Sequence, residues 1–211
     1  MTHFNSLFCI LFLSAFVSGC AVAPFMTPKS GQSLGKGNWQ VDASVLPVPG
    51  AMVSAGITEN LDAGAIYEVQ FGSVISAFGK YSFVNNKTGW ATSLYAGAFT
   101  GASVGTTNGY YVGPVISYKT KSVEPYLSVR YSYVRWDLDG ATDDEVDDSI
   151  LELDTLDTEI TFGYIQTDFG VSFWVNKGFG INVHGKLWTV FDDKVEVSSS
   201  VMPGVSFLFN F

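Results

Sequence analysis

The chain closes on Val201-Met202-Pro203-Gly204-Val205-Ser206-Phe207-Leu208-Phe209-Asn210-Phe211. Every second residue from Val201 to Phe211 is apolar, and those between are smaller or mostly polar. Side chains alternate across a β-strand, so this segment reads as a strand with one greasy face ending in Phe207, Phe209 and Phe211. A water-soluble protein rarely exposes such a row. A transmembrane β-strand does, because its outer face meets lipid.

Working back from that strand, the alternation recurs. Trp39 to Val45 is apolar on odd positions and polar on even ones, and Ala51, Val53, Ala55 and Ile57 continue the odd face. Ala63, Ala65, Tyr67 and Val69 follow, then Ile75, Ala77, Tyr81 and Phe83. Tyr110 to Tyr118, Leu127 to Tyr133, Phe169 to Val175 and Phe179 to Leu187 repeat the pattern. Polar clusters at Thr58–Asp62, Asn85–Gly89, Lys119–Pro125 and Asn176–Gly178 read as short turns. Gly101–Gly109, Asp137–Glu159 and the segment opened by Asp192-Asp193 read as longer loops. The expected fold is all-β: a transmembrane antiparallel up-and-down barrel of about ten strands, or eight if Ala51–Ile57 and Ala63–Val69 mispair. An even number places both ends of the barrel on one side.

Three features strain this reading. The strand from Trp90 to Thr100 has small residues on both faces. Pro114 and Pro203 fall inside strands, where each removes a ladder donor, so a bulge, a rim position or shifted strand bounds are expected. Ile160–Tyr164 is apolar on even positions while Phe169–Val175 is apolar on odd ones, which calls for a bulge near Ile165–Gln166 or a strand projecting beyond the membrane.

Phe207, Phe209 and Phe211 resemble the C-terminal signal of bacterial outer-membrane β-barrels, with Ser206 where a glycine is usual. At the other end, Leu7–Val17 is too short to span a bilayer and suits the apolar region of a signal peptide. Val17-Ser18-Gly19-Cys20 resembles the lipobox of bacterial lipoproteins, which implies lipidation of Cys20 as the first mature residue. Ala21-Val22-Ala23 offers an ordinary cleavage site instead, with Pro24 just after the cut. Ala21 after the cysteine, rather than aspartate, implies sorting to the outer membrane. The resulting organisation is 1–19 signal peptide, 20–36 a lipidated flexible tether, and 37–211 the barrel, with both termini periplasmic. Implied partners are outer-membrane lipid and the barrel-assembly and lipoprotein-sorting machinery.

With 20 acidic residues against 11 basic ones, the net charge of −9 disfavours nucleic acid. The other cysteine, Cys9, lies in the signal region, so the mature chain offers no disulfide and no cysteine metal framework. No cofactor is implied.

The even face of the strands carries Asp42, Glu68, Lys80, Arg130, His184 and Lys186. In a narrow barrel these charges must find partners, as a salt-bridged plug or as the lining of a polar pore. Between Asp137 and Glu159 there are many acids and no Lys or Arg. The bland reading is a solvated loop. The sharper one is a weak site for divalent cations at Asp137, Asp139, Asp143 and Asp144, although the spacing is not that of an EF-hand. Trp39, Trp90, Tyr110, Tyr118, Tyr126, Trp136, Trp174 and Trp188 gather near strand ends as interface girdles, with Trp136 and Trp188 able to point inward. His184 is the one histidine after the signal region, and no nucleophile-and-base spacing accompanies it, so catalysis is not expected. Gly37-Asn38-Trp39 is similar to the Gly-x-Trp signature of lipocalins.

Three functions follow. The first is a non-catalytic barrel lipoprotein with a structural or surface role and a largely plugged lumen. The others are a narrow channel for small polar solutes or ions, and a lipid-anchored carrier of an apolar ligand.

Overall fold

The computed structural model describes residues 23–70, 72–103, 105–137, 159–190 and 201–211. The signal region, Cys20, most of the acidic loop, and residues 191–200 lie outside the described residues. Ten strands form one closed antiparallel barrel: β1 Trp39–Leu46, β2 Gly50–Gly56, β3 Leu61–Val69, β4 Ser73–Asn85, β5 Gly89–Ser103, β6 Gly105–Lys119, β7 Val123–Asp137, β8 Glu159–Trp174, β9 Phe179–Val190 and β10 Val201–Asn210. Each strand pairs with its sequence neighbours, and β10 closes on β1 through pairs such as Val41 with Phe209 and Ala43 with Phe207. Phe211 exchanges both backbone bonds with Trp39. No helix occurs among the described residues.

Odd-numbered apolar residues face outward over most of the barrel. Val53, Ile75, Phe83, Leu127, Phe169 and Val183 are among the exposed large hydrophobics, while in β6 the even residues Val112 and Ile116 take the outward face. Aromatic residues band this belt. Trp90 packs edge-on against Tyr118 at the short-turn end, and Tyr110 stacks on Tyr133 nearer the other mouth. The interior is lined by polar and charged side chains plus one aromatic sector built on Phe78, Tyr95, Phe99, Tyr111 and Tyr164.

Several expectations change. Gly101–Gly109 is not a loop: β5 runs to Ser103 and β6 starts at Gly105, which leaves only residue 104 between them. The small and β-branched residues there keep the ladder, and Gly105 adopts the positive φ that the tight turn requires. The ambiguous Trp90–Thr100 segment is an ordinary strand whose even residues, such as Leu94, face outward, so Ala91, Tyr95 and Phe99 are inside.

Pro114 sits at neither a bulge nor a rim. The β6–β7 register is unchanged across it, and the ladder simply lacks the pairs at Gly113 and Pro114. Pro203 stands beyond Leu46–Val205, where β1 has ended, so its missing N–H has no strand to face on that side. No bulge occurs in β8, whose pairing with β7 and β9 is unbroken. Phe162 and Tyr164 are apolar even residues because the interior itself is aromatic at that level.

The largest departure is residues 23–36. Composition reads them as a tether, yet residues 23–32 run through the barrel's interior and the chain reaches the surface at Lys36. Ala23, Pro24, Met26, Thr27, Pro28, Lys29, Gly31 and Gln32 are all buried. The strap enters beside Gln70 at the end of β3 and descends to Asn85 and Asn86 at the β4–β5 turn. Gly35 and Gly37, at φ of 79° and 85°, then reverse the chain into β1.

Candidate functional site

The site is the lumen with the strap inside it. An extended segment there cannot pair with the wall's backbone, which is already committed to the sheet. Its amides and carbonyls must be met by inward side chains. Pro24 and Pro28 reduce that demand, since neither has an N–H to satisfy.

From the long-loop mouth downward, Glu68 comes first. Its carboxylate accepts from the Phe25 amide at 2.7 Å and the Met26 amide at 2.5 Å. Arg130, fully buried, donates to the carbonyl of Met26 at 3.0 Å, to that of Pro24, and to Gln166 at 2.6 Å. Its guanidinium lies over the Tyr111 ring at 5.0 Å. Gln166 and Lys186 donate to the Phe25 carbonyl at 2.8 and 2.7 Å, and the Phe25 ring meets Trp188 edge-on.

Below this level Asp168 joins Lys186 at 2.6 Å and accepts from the Thr27 hydroxyl at 2.6 Å. The Lys29 ammonium reaches Asp42 at 2.5 Å and also bonds Ser206. Ser30 donates to Glu124 at 2.5 Å. Lys80 pairs with Asp62 at 3.0 Å and caps the carbonyls of Ser30 and Gln32 at 3.1 and 2.6 Å. Asp62 also accepts from the Ser33 hydroxyl at 2.6 Å and the Leu34 amide at 3.1 Å.

All six lumen residues read from the sequence are buried, and five of them bind the strap: Asp42, Glu68, Lys80, Arg130 and Lys186. They do not pair with one another as a self-contained plug would require. His184 stays out of the strap contacts and bonds Asn182 at 2.8 Å through Nδ1.

The partners that sequence reasoning missed are Lys29, Asp62, Glu124 and Asp168, together with Gln166. Asp62 and Glu124 are inward strand residues, although their polar neighbours read as turns. Tyr126 and Trp174 belong to the interior rather than to the girdles, and Trp188 takes the inward alternative that its even position offered. Tyr126 donates to Asp168, and Trp174 lies under the Lys119 ammonium at 5.2 Å.

At the short-turn mouth a vestibule of about 860 Å³ opens among residues including Lys80, Glu124, Trp174 and Lys177. Of the acidic-loop candidates, Asp137 ends β7, while Asp139, Asp143 and Asp144 lie outside the described residues. Arg135 pairs with Glu159 at 2.5 Å across the base of that loop. Among the described residues no three His, Cys, Asp or Glu side chains converge as metal ligands.

No family model and no curated protein matches the chain. Among solved structures it is similar to the N-terminal β-barrel domain of Pseudomonas aeruginosa OprF, at 10% identity and a TM-score of 0.40, covering 84% of this chain and 99% of that one. A likeness this distant speaks to neither activity nor partners.

Proposed function

We propose that the protein is a non-catalytic integral β-barrel lipoprotein of the bacterial outer membrane, lipidated at Cys20, with a structural or surface role. Its lumen is closed by its own N-terminal strap. One observation carries the membrane reading: large apolar side chains face outward around the whole barrel while Asp42, Glu68, Arg130, Asp168 and Lys186 are buried inside. In water that arrangement is inverted, because an apolar surface far above the few hundred Å² of a typical soluble monomer would be exposed. In lipid it is the stable one, and closure leaves no unpaired strand edge in the hydrocarbon.

A carrier of apolar ligands needs its greasy face inside. Here the strap and its charged partners take that space. The acidic loop would face outward, where divalent cations are its natural counter-ions. Extraction tests the reading. Alkaline carbonate or urea should leave the chain in the membrane pellet, and only detergent should release it. Release without detergent would contradict both the integral barrel and its lipid anchor, and retention without a heat-modifiable gel shift would favour the anchored carrier.

A further inference from the structure

The direction of the strap has a consequence for topology. Leu34 sits at the short-turn end, where the Phe211 backbone also lies against Trp39. Ala23 sits at the opposite mouth, where its carbonyl accepts from Gln70 at the β3–β4 connection and the next aromatic, Phe25, touches Trp188 near the end of β9. This is the side on which β7 and β8 are joined by the acidic segment. From Ala23 to Leu34 an extended chain reaches at most about 40 Å, enough for one crossing of an apolar band about 25 Å tall. Cys20 is three residues before Ala23, a reach of about 10 Å, so it has too little chain to return to the short-turn side.

The barrel wall is lowest beside this exit. β1 stops at Leu46 and β3 at Val69, while β5 through β8 continue further. Val45, Leu46 and Val69 on that low rim are exposed apolar residues, with Val45 52% and Val69 49% accessible. Side chains of that kind belong at the height of a leaflet's hydrocarbon boundary. An acyl chain on Cys20 can therefore pass over the rim into the leaflet next to it.

We propose that the protein threads its N-terminal segment through its own lumen, so that the lipid on Cys20 enters the leaflet on the acidic-loop side, opposite the C-terminus. This rests on the membrane-barrel and lipidation reading above, and it reverses the sequence expectation that both ends share the periplasmic side. The partner is the acyl region of that outer leaflet. The strap then acts as a lumen filler and as a tie between the anchor and the barrel wall.

The test compares three variants of the full chain in intact Gram-negative cells: Val22→Cys, Lys87→Cys in the β4–β5 turn, and Asp144→Cys in the acidic loop. The probe is a membrane-impermeant sulfonated maleimide, with the parental protein as blank. Val22→Cys and Asp144→Cys should label in intact cells, and Lys87→Cys only after the outer membrane is permeabilised. Labelling of Val22→Cys only in permeabilised cells, with Asp144→Cys labelled in intact ones, overturns the proposal.

Identical labelling of Lys87→Cys and Asp144→Cys is a different failure, that of the membrane-barrel reading itself. Incorporation of labelled palmitate that disappears in Cys20→Ser supports the lipid, and its absence from the parent overturns that half. A short epitope inserted between Val22 and Ala23 keeps the test decisive if the thiol is sterically shielded. Antibody staining of intact cells supports threading, and staining restricted to permeabilised cells overturns it.

Discussion

At the scale of single residues, the lumen is held by charges whose partners come from the strap. Asp42 is fully buried and its cation is Lys29, 2.5 Å away. Removing one member of a buried pair leaves the other charge uncompensated, at a cost of about 3–5 kcal/mol. Lys29→Met should therefore lower the unfolding free energy by that order, seen as a lower urea midpoint in the gel-mobility shift between folded and denatured protein. Adding Asp42→Asn should recover much of the loss. A midpoint unchanged in the single variant would mean that Lys29 is not seated on Asp42. Glu68→Gln weakens two hydrogen bonds from strap amides to a carboxylate, each worth about 1.5–3 kcal/mol, and should expose the strap to protease while the barrel stays resistant. The inward position of Asp42, Glu68, Lys80, Arg130, His184 and Lys186 was legible because a strand's period of two assigns a face without knowing any partner. Their partners were not legible. Lys29 belongs to a segment with no period at all. Asp62 and Glu124 sit among turn-like neighbours, where a period of two does not show in the residues.

At the scale of elements, the strap and its fit against the wall carry the account. A Cβ on Gly31 would lie 2.5 Å from the Ala91 carbonyl oxygen on β5. Gly31→Leu should thus displace the strap locally, with an overpacking cost of about 1–3 kcal/mol. The readout is faster proteolysis within residues 23–36, with heat-modifiability retained. Equal protease resistance of variant and parent would contradict this packing. Composition made the strap look like a tether, since prolines, glycines and small polar residues serve both roles. What distinguishes the two is whether inward side chains meet its backbone, and that depends on contacts far apart in sequence, such as Thr27 with Asp168. Prolines misled in a different way. Pro114 interrupts one ladder without shifting its register, which alternation cannot reveal. In β8 the switch of apolar residues from odd to even positions reflects an aromatic interior around Phe162 and Tyr164, not a bulge.

At the scale of the whole molecule, ten strands, their order and the closure of β10 on β1 were readable, because alternation repeats and the last strand's face matches its neighbours. The state of the lumen was not readable, since it depends on whether something occupies the space between the walls. A ten-stranded barrel is narrow, and one extended segment contacts Glu68, Arg130, Asp168, Asp42 and Lys80 along it, which supports the proposed closed lumen. The most direct measurement is single-channel recording of the full-length protein in planar bilayers, beside a variant in which residues 23–34 are replaced by a Gly/Ser segment with no lumen contacts. The full-length chain should give no unitary current above the bilayer baseline, and the replaced strap should give discrete steps. Stable steps of the same size from both proteins would contradict a lumen closed by its own N-terminal segment.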